Sequence, residues 1–483
     1  MSEANEGSSI KTGSWWLTVP GILAQAAVVI AAIAGLITTL HEVGIIKSNS
    51  GSASPARDVS ALPSADVNEL RRRADAYLVG RGQVPKNLNE AASLYLKAAE
   101  LGDAKSQNSI GAMLRDGLGV AKNWPESVFW FQKAMEQKDP QSYANLGFMY
   151  QTGRGGLSED YAMAAELYLK GTEKGDPHAM GLLASAYLNG RGVPEDKGEA
   201  LKWATTAAKS GDPVAQNVLG FMTDEGLGGL AKDEKQAVSW YKKAAAQGDW
   251  KAQANLAFMY AEGAGGLTKD DAEALRWYRK AADQGHPDAQ YALGRYYDEG
   301  TGGVGKDEAE AMRWYRKAAD QGHPEAQYAV GLNYESGIGG VTEDDVEAMR
   351  WYLKAADQGQ PGAQYYVGLN YDLGEGGVTK SDVEALSWFR KAAVQGNAAA
   401  QYEVGVYHSK GLAGLAVDKS EAMRWYRKAA AQQDPDAMYA LGWYYYNGIA
   451  VKKDETEAVR WYRKAAEQGS SKAQAVLNRL KIG

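Results

Sequence analysis

The chain contains 483 residues, of which 45% are apolar, with 53 basic and 60 acidic side chains. The net charge of −7 is spread along the chain, which argues against nucleic acid as a partner because a phosphate backbone requires a clustered basic surface. Cysteine is absent, so disulfides, thiolate catalysis and cysteine-ligated metal centres are excluded.

The first forty residues predict a membrane anchor. A short polar N-terminus, residues 1–14, precedes residues 15–40, an uncharged segment longer than the roughly 20 apolar residues needed to cross a bilayer. A cleaved signal peptide is the alternative, but it requires a basic leader and a shorter apolar run. This leader contains two glutamates and one lysine, which favours a retained transmembrane helix.

Basic residues beside the apolar segment indicate its orientation. Lys11 and the terminal amine precede the segment, whereas Lys47 follows it and Arg57 is more distant. By the positive-inside rule, this balance favours a single-pass membrane protein whose following chain lies on the exported, periplasmic side. Residues 41–65 are rich in Ser, Ala and Pro and predict a flexible linker with a reach of about 25–30 Å.

From residue 66 to residue 483 the sequence repeats every 36 or 37 residues. A period of this length is typical of stacked helix-turn-helix units rather than of one globular domain with a single site. The pattern predicts about eleven such units and a C-terminal capping helix. The residues that mark the register are Leu94, Trp130, Leu167, Trp203, Trp240, Trp277, Trp314, Trp351, Trp388, Trp425 and Trp461.

The unit from 288 to 324 shows how each repeat is built. Its first helix has a glycine, Gly294, where an isolated helix would lose about 1 kcal/mol, which indicates close helix packing. Gly300 is expected to end that helix, and Asp307 to cap the second helix at its N-terminus. The second helix alternates large and small apolar residues, Trp314 and Tyr315 among them, and stacked neighbours are needed to bury these rings.

One turn resembles a nucleotide-binding loop. Residues 300–307 read GTGGVGKD and differ from G-x-x-x-x-G-K-[ST] at Asp307, where a hydroxyl would ligate magnesium. Similar glycine-rich turns recur at 263–270, 337–344 and 374–381. This recurrence favours a structural turn between helices. Nucleotide binding or hydrolase activity centred on this loop is the enzyme alternative.

The repeat resembles the Sel1-like repeat (SLR) family, a relative of tetratricopeptide repeats, whose motif combines A-x-x-x-L-G-x-x-Y-x-x-G with A-x-x-W-x-x-K-A-A. The resemblance implies an all-α, right-handed superhelix, an α-solenoid, in which the first helix of each repeat lines the concave surface. It also implies a non-enzymatic adaptor function. The matching residues in one unit are Ala289, Leu293, Gly294, Tyr297, Gly300, Ala311, Trp314, Lys317, Ala318 and Ala319.

Aromatic and apolar residues in the first helices are the candidate contacts for a protein or peptide partner, because tyrosine combines rigid apolar area with a polar tip. Packing between repeats is the alternative interpretation. Asn333 and Asn370 are additional polar candidates for holding a peptide backbone. The aromatic and apolar candidates are Tyr291, Tyr328, Tyr365, Tyr402, Tyr439, Trp443, Phe148, Phe221, Phe258, Leu332 and Leu369.

Other chemistry finds little support in the sequence. His286 and His323 lie in QGHP turns and are expected to cap helices, since neither has His or Cys at metal-ligand spacing. No catalytic residue, metal, cofactor or small-molecule ligand is predicted. The resulting hypothesis is a membrane-tethered scaffold that binds a protein or peptide in its groove. The alternative is a soluble exported protein with a host-interaction or envelope-remodelling function.

Overall fold

The computed structural model describes residues 66–82 and 84–480, and this part of the chain is built from helices without any strand. The predicted anchor and linker, residues 1–65, lie outside the described residues. No helix in the described part is long and apolar enough to span a membrane. The described residues form 23 helices, which are eleven pairs followed by one single helix, as the repeat pattern predicts.

The first helix of each pair is called the A helix and the second the B helix, so that odd-numbered helices up to α21 are A helices. The pairs are numbered as repeats 1 to 11. The helices are α1 Val67–Val79, α2 Leu88–Glu100, α3 Ala104–Asp116, α4 Trp124–Glu136, α5 Pro140–Gln151, α6 Tyr161–Glu173, α7 Pro177–Asn189, α8 Lys197–Lys209, α9 Pro213–Glu225, α10 Glu234–Ala246, α11 Trp250–Glu262, α12 Asp271–Asp283, α13 Pro287–Glu299, α14 Glu308–Asp320, α15 Pro324–Ser336, α16 Asp345–Asp357, α17 Pro361–Leu373, α18 Asp382–Val394, α19 Ala398–Lys410, α20 Lys419–Ala431, α21 Pro435–Asn447, α22 Glu455–Glu467 and α23 Ser471–Arg479.

The turns between helices behave as the sequence predicts. Gly300 ends α13 in the left-handed conformation with φ 68°, which glycine adopts without a steric penalty. The Asp307 carboxylate accepts a hydrogen bond of 2.9 Å from the backbone N–H of Glu310 and so caps α14. The loop that resembles a phosphate-binding motif is therefore a helix-to-helix turn, and Asp307 has a structural task in it.

The core explains the glycine in the A helix. A Cβ on Gly294 would lie 2.6 Å from the ring of Tyr315, so no side chain fits between α13 and α14. Tyr315 and Trp314 are 4% and 7% exposed. In repeat 4 the glycine is replaced by Ala184, and Ala204 occupies the place of the tyrosine in the same buried cluster. Repeats 1 and 6 instead combine an alanine at this position with the facing tyrosine, so the ring makes the site tight but does not by itself require the glycine.

Buried glutamines join seven of the eleven A helices to the preceding and following B helices. In repeat 7 the Gln290 side chain donates to the carbonyl of Ala282 at 3.1 Å and accepts from the amide of Gln321 at 2.7 Å. Buried amides stabilise a fold only when both ends are paired, and here both are. The glutamines with this arrangement are Gln107, Gln216, Gln253, Gln290, Gln327, Gln364 and Gln401.

The B helices carry a charged cluster that is satisfied within the helix. In α14 the Glu310 carboxylate accepts from Arg313 at 2.8 Å and from the Trp314 indole N–H at 2.8 Å. The Lys317 ammonium lies 3.6 Å from the centre of the same indole ring, a favourable cation–π distance. These polar groups are occupied by their own helix, which makes them poor candidates for partner contacts.

Contacts between A helices show the direction in which the array curves. Where helices two positions apart in the chain contact each other extensively, both are A helices: α3 with α5, α5 with α7, and α7 with α9. At the last of these contacts a Cβ on Gly181 would lie 2.3 Å from the Asp212 side chain. Because the A helices approach one another more closely than the B helices, they form the inner side of the array.

Candidate protein-binding surface

The candidate surface is the inner side of the A helices. It includes the position directly after the core glycine, which faces away from the B helix. Phe221, Phe258 and Trp443 occupy this position and are 39%, 54% and 43% exposed. Four of the five exposed Phe and Trp side chains in the described residues lie on A helices, and only Phe129 lies on a B helix. The remaining predicted residues at this position, Phe148, Leu332 and Leu369, are partly buried.

The predicted tyrosines, three residues before the core glycine, belong partly to the core and partly to the inner surface. Their rings pack on the B helix of the same repeat, as Tyr328 does on Tyr352 with ring centres 5.9 Å apart. Tyr328 also covers Gly362 at the start of the next A helix, where a Cβ would lie 2.9 Å from the ring. The packing interpretation therefore applies to the ring, and contact of its outer edge with a partner stays a prediction. The row consists of Tyr291, Tyr328, Tyr365, Tyr402 and Tyr439.

The hydroxyl groups of these five tyrosines form no hydrogen bond with any described residue, and none of them is a buried unpaired atom. They therefore face solvent. Burial raises the pKa of Tyr365 to about 12 and raises the pKa of Tyr291, Tyr328 and Tyr402 as well, so these four hydroxyls stay protonated at neutral pH and are able to donate to a partner.

Asn333 and Asn370 have structural partners. Their amide nitrogens donate to the carbonyls of Ala329 at 2.8 Å and Tyr366 at 2.9 Å within their own helices. The Asn370 oxygen lies against Gly376 of the following turn, where a Cβ would be 2.4 Å away. Packing of the turn accounts for both asparagines, so neither is included in the proposed binding surface.

The inner side of repeats 9 to 11 is acidic. Burial raises the pKa of Glu403 to about 7, and the carboxylates of Asp372, Asp436 and Asp434 act in the same direction. Glu403 forms no ion pair with a described residue, although Lys410 lowers its pKa from a greater distance.

Beside its phenylalanine rings, the inner side of repeats 2 to 6 carries amides and cations. Asn145 donates to Asn108 at 2.9 Å, and Asn255 donates to Asn217 at 3.0 Å, each bond joining one A helix to the previous one. His178 of α7 lies 3.0 Å from Asp212 at the start of α9. Burial opposes the charged imidazole, but the contact with Asp212 outweighs it, so the pKa of His178 is raised.

The loop at 300–307 lacks the features of a phosphate site. The Lys306 ammonium forms an ion pair of 2.9 Å with Glu308, and Asp307 is engaged as a helix cap. Of the two histidines predicted to cap helices, the Nδ1 atom of His323 accepts from the Ala326 N–H at 3.2 Å. His286 occupies the N-cap position of α13, but its side chain forms no capping hydrogen bond. In the described part, no three His, Asp or Glu side chains are grouped to hold a metal ion.

Comparison with known proteins identifies the repeat. The family model for the Sel1 repeat matches eleven consecutive segments, from residues 70–103 to residues 435–470. This chain belongs to the Sel1 repeat family. The resemblance seen in the sequence is thereby confirmed for the repeat, and the segments coincide with the helix pairs of the structure.

Two solved structures and one curated protein are similar to this chain to different extents. A protective antigen of uropathogenic Escherichia coli with an SLR fold is 32% identical, covering 86% of this chain and 88% of its own, with a TM-score of 0.54. A Sel1 repeat protein from Oxalobacter formigenes is 32% identical over 52% of this chain and 96% of its own, with a TM-score of 0.46. The chitin synthase regulator SKT5 of Saccharomyces cerevisiae is 35% identical over 82 residues, and this match spans only 12% of its length.

Two groups of residues escaped the sequence analysis. The sequence does contain a signal for the glutamine row. A glutamine lies four residues before the core glycine, and a second glutamine follows 31 residues later at the end of a B helix. Arg191 and Lys251 line a common cavity although two repeats separate them in sequence. Only the curvature of the array brings these two cations together, and a repeat pattern contains no signal for it.

Proposed function

We propose that this Sel1 repeat protein is a non-catalytic scaffold whose A helices bind a segment of a partner protein along the inner side. The observation that carries the proposal is the distribution of exposed rings, since Phe221, Phe258 and Trp443 share one position on the inner helices. Exposed aromatic residues grouped on one face are typical of interfaces, where they supply most of the binding energy. The charged clusters of the B helices are already paired and offer much less.

The two ends of the inner side suggest the character of the partner. The tyrosine hydroxyls and the unpaired Glu403 in repeats 7 to 11 favour hydrogen-bond acceptors and positive charge. The phenylalanine rings of repeats 2 to 6 favour apolar side chains. A long segment with an apolar part and a basic part matches both ends.

The test compares two variants of the full chain. Phe221→Ala combined with Phe258→Ala removes two inner rings, and Phe129→Ala is the matched control because Phe129 is 39% exposed, as Phe221 is, but lies on B helix α4. After chemical crosslinking in intact cells, we expect co-purified partner protein to fall at least about tenfold for the inner variant, since interface hot spots contribute above 1 kcal/mol each. Equal recovery with both variants would exclude the inner side.

We further propose that residues 15–40 anchor the chain in a membrane, with the repeats on the exported side. The support is the uncharged apolar length of this segment and the position of Lys11. Fractionation tests the anchor: the full chain is expected in the membrane fraction, and deletion of residues 15–40 is expected to release it. If the full-length gene product is instead recovered from the soluble fraction without its first forty residues, the result would support a cleaved signal peptide.

A further inference from the structure

A small polar cavity lies on the inner side of the tightly curved repeats. Its volume is about 120 Å³. Lys251, at the start of α11 in repeat 6, closes the cavity over residues of repeats 3 and 4, so the cavity exists because the array curves back on itself. The lining residues are Gln151, Tyr161, Ala164, Tyr168, Ser185, Ala186, Asn189, Arg191 and Lys251.

The charge of this cavity is unbalanced. The lining contains two cations, Arg191 and Lys251, and no carboxylate. Neither cation forms an ion pair with a described residue, in contrast to Lys306 and most arginines of the B helices. Asp249 lies near Lys251, but its carboxylate caps α11 by accepting from the Ala252 N–H at 2.7 Å.

Asp249 balances only part of the positive charge of Lys251 and Arg191. Burial lowers the pKa of Lys251, Asp249 raises it, and the neighbouring Arg191 lowers it further. Both cations remain accessible to solvent, and no carboxylate lines the cavity itself. A bound anion would offset the remaining positive charge and gain two charge-assisted hydrogen bonds.

The uncharged groups of the cavity also offer donors. The Gln151 oxygen accepts from the Tyr168 hydroxyl at 2.8 Å, which leaves the amide N–H groups of Gln151 without a partner among the described residues. Asn189 uses one N–H on the Ser185 carbonyl at 2.8 Å and retains the other. The Ser185 hydroxyl adds a further donor. A ligand group that only accepts hydrogen bonds would therefore match the free donors of this lining.

We infer that this cavity binds an oxyanion, a carboxylate or a phosphate group. The planar guanidinium of Arg191 suits bidentate contact with two oxygens, and Lys251 supplies a point charge from the other wall. The volume admits a compact anionic group and excludes a folded segment. The inference does not depend on partner binding along the inner side.

The experiment is titration calorimetry of the full chain with inorganic phosphate and, separately, with acetate, at constant ionic strength in chloride. Lys251→Gln and Arg191→Gln are expected to weaken anion binding at least tenfold. The chain provides matched controls: Lys105→Gln changes the lysine at the same position of repeat 2, and Arg81→Gln changes an arginine in the same Gly-Arg-Gly turn of repeat 1. Both controls are expected to bind within twofold of the unchanged chain.

Thermal unfolding with and without each anion provides a second measurement. Lys251→Gln is expected to abolish stabilisation of the fold by phosphate or acetate, because it removes one of the two cations that would hold the anion. Binding of phosphate alone, of acetate alone, or of both in competition supports the inference and identifies the group. Absence of binding up to about 20 mM of either anion, or equal binding by Lys251→Gln and the unchanged chain, would overturn it.

Discussion

The inner sides of repeats 2 to 6 and repeats 7 to 11 share one backbone design but differ in chemistry. Three residues before the core glycine, the first group has Asn108, Gly181 or another small or polar residue, whereas each repeat of the second group has a tyrosine. In the described part of the chain, the most extensive contact between A helices joins α7 and α9, in the first group. A small residue lets neighbouring A helices approach, and a tyrosine fills the space between them.

The comparison shows that one position controls both packing and surface. In repeats 4 to 6 the close approach brings Lys251 against Arg191 and forms the cationic cavity. In repeats 8 and 9 the ring of Tyr328 lies over Gly362 of the next A helix and leaves its hydroxyl at the surface. A repeat protein can therefore vary its binding chemistry along its length without altering the B helices that hold it together.

The largest predicted effect tests whether the two groups unfold as separate units. Gly294→Val drives a side chain into the Tyr315 ring and is expected to cost about 2–3 kcal/mol. Because most contacts of a repeat are with its two neighbours, hydrogen exchange should accelerate in α11 to α16 and stay unchanged in α3 to α8. Gly305→Ala is the control, since a Cβ there meets nothing within 4 Å. Uniform acceleration along the chain would show that the groups unfold together.

The next largest predicted effect is on the pH dependence of stability. It compares one partly buried carboxylate from each group, Asp249 in repeats 2 to 6 and Glu403 in repeats 7 to 11. Burial raises the pKa of Asp249 to about 6 and of Glu403 to about 7. A raised carboxylate pKa means that the folded state holds a proton that the unfolded state has released, so stability falls as pH rises from about 4 to 7. Asp249→Asn, which keeps a good cap, and Glu403→Gln should each add about 1 kcal/mol at pH 8 and nothing at pH 4.

Denaturant unfolding at the two pH values measures this effect. Asp307→Asn serves as the control for replacing a capping carboxylate by an amide, since Asp307 caps α14 from an exposed position. A stability that rises between pH 4 and pH 7 because of Asp249 or Glu403 would contradict the assignment of raised pKa values to these two carboxylates.

A smaller effect tests what the two groups have in common. Gln290→Met removes hydrogen bonds to Ala282 and Gln321 and is expected to cost about 1 kcal/mol. Repeats 4 and 11 already have Met180 and Met438 at this position, so shape alone is compatible with the fold. Equilibrium unfolding should show the loss with an unchanged denaturant slope. A cost near zero would mean that the glutamine row sets neither stability nor register.

The smallest effect on stability sharpens the role of the tyrosines. Changing Tyr328, Tyr365 and Tyr402 together to Phe keeps the packed rings and removes only hydroxyls that lack partners among the described residues, so stability should change by less than about 0.5 kcal/mol. Recovery of crosslinked partner should nevertheless fall, because the hydroxyls face the proposed binding surface. Changing the same residues to Ala is less informative, since the rings also belong to the core. Full recovery with the Phe variant would limit these tyrosines to packing.

The sequence predicts the fold well because the repeat determines it locally. Gly294, Gly300 and Asp307 each have a conformational or packing task that is recognisable from residue type and spacing, and the structure confirms all three. The face of each A helix was harder to divide between core and surface. A tyrosine at helical spacing fits either, and its dual placement follows from the distance between neighbouring A helices.

The cationic cavity could not be predicted from the sequence for a related reason. Arg191 and Lys251 are sixty residues apart and belong to different positions of the repeat. Their approach depends on small rotations between successive repeats that accumulate along the array. Such rotations arise from packing details, including the missing side chain at Gly181, and no single spacing in the sequence records them.

The most direct measurement places a photo-crosslinking amino acid at position 258 or at position 129 of the full chain in intact cells. Phe258 lies on the inner side and Phe129 on a B helix, and both are exposed. We expect a discrete adduct of higher mass from position 258 and none from position 129. Adducts from position 129 with none from position 258 would contradict the assignment of the inner side as the binding surface.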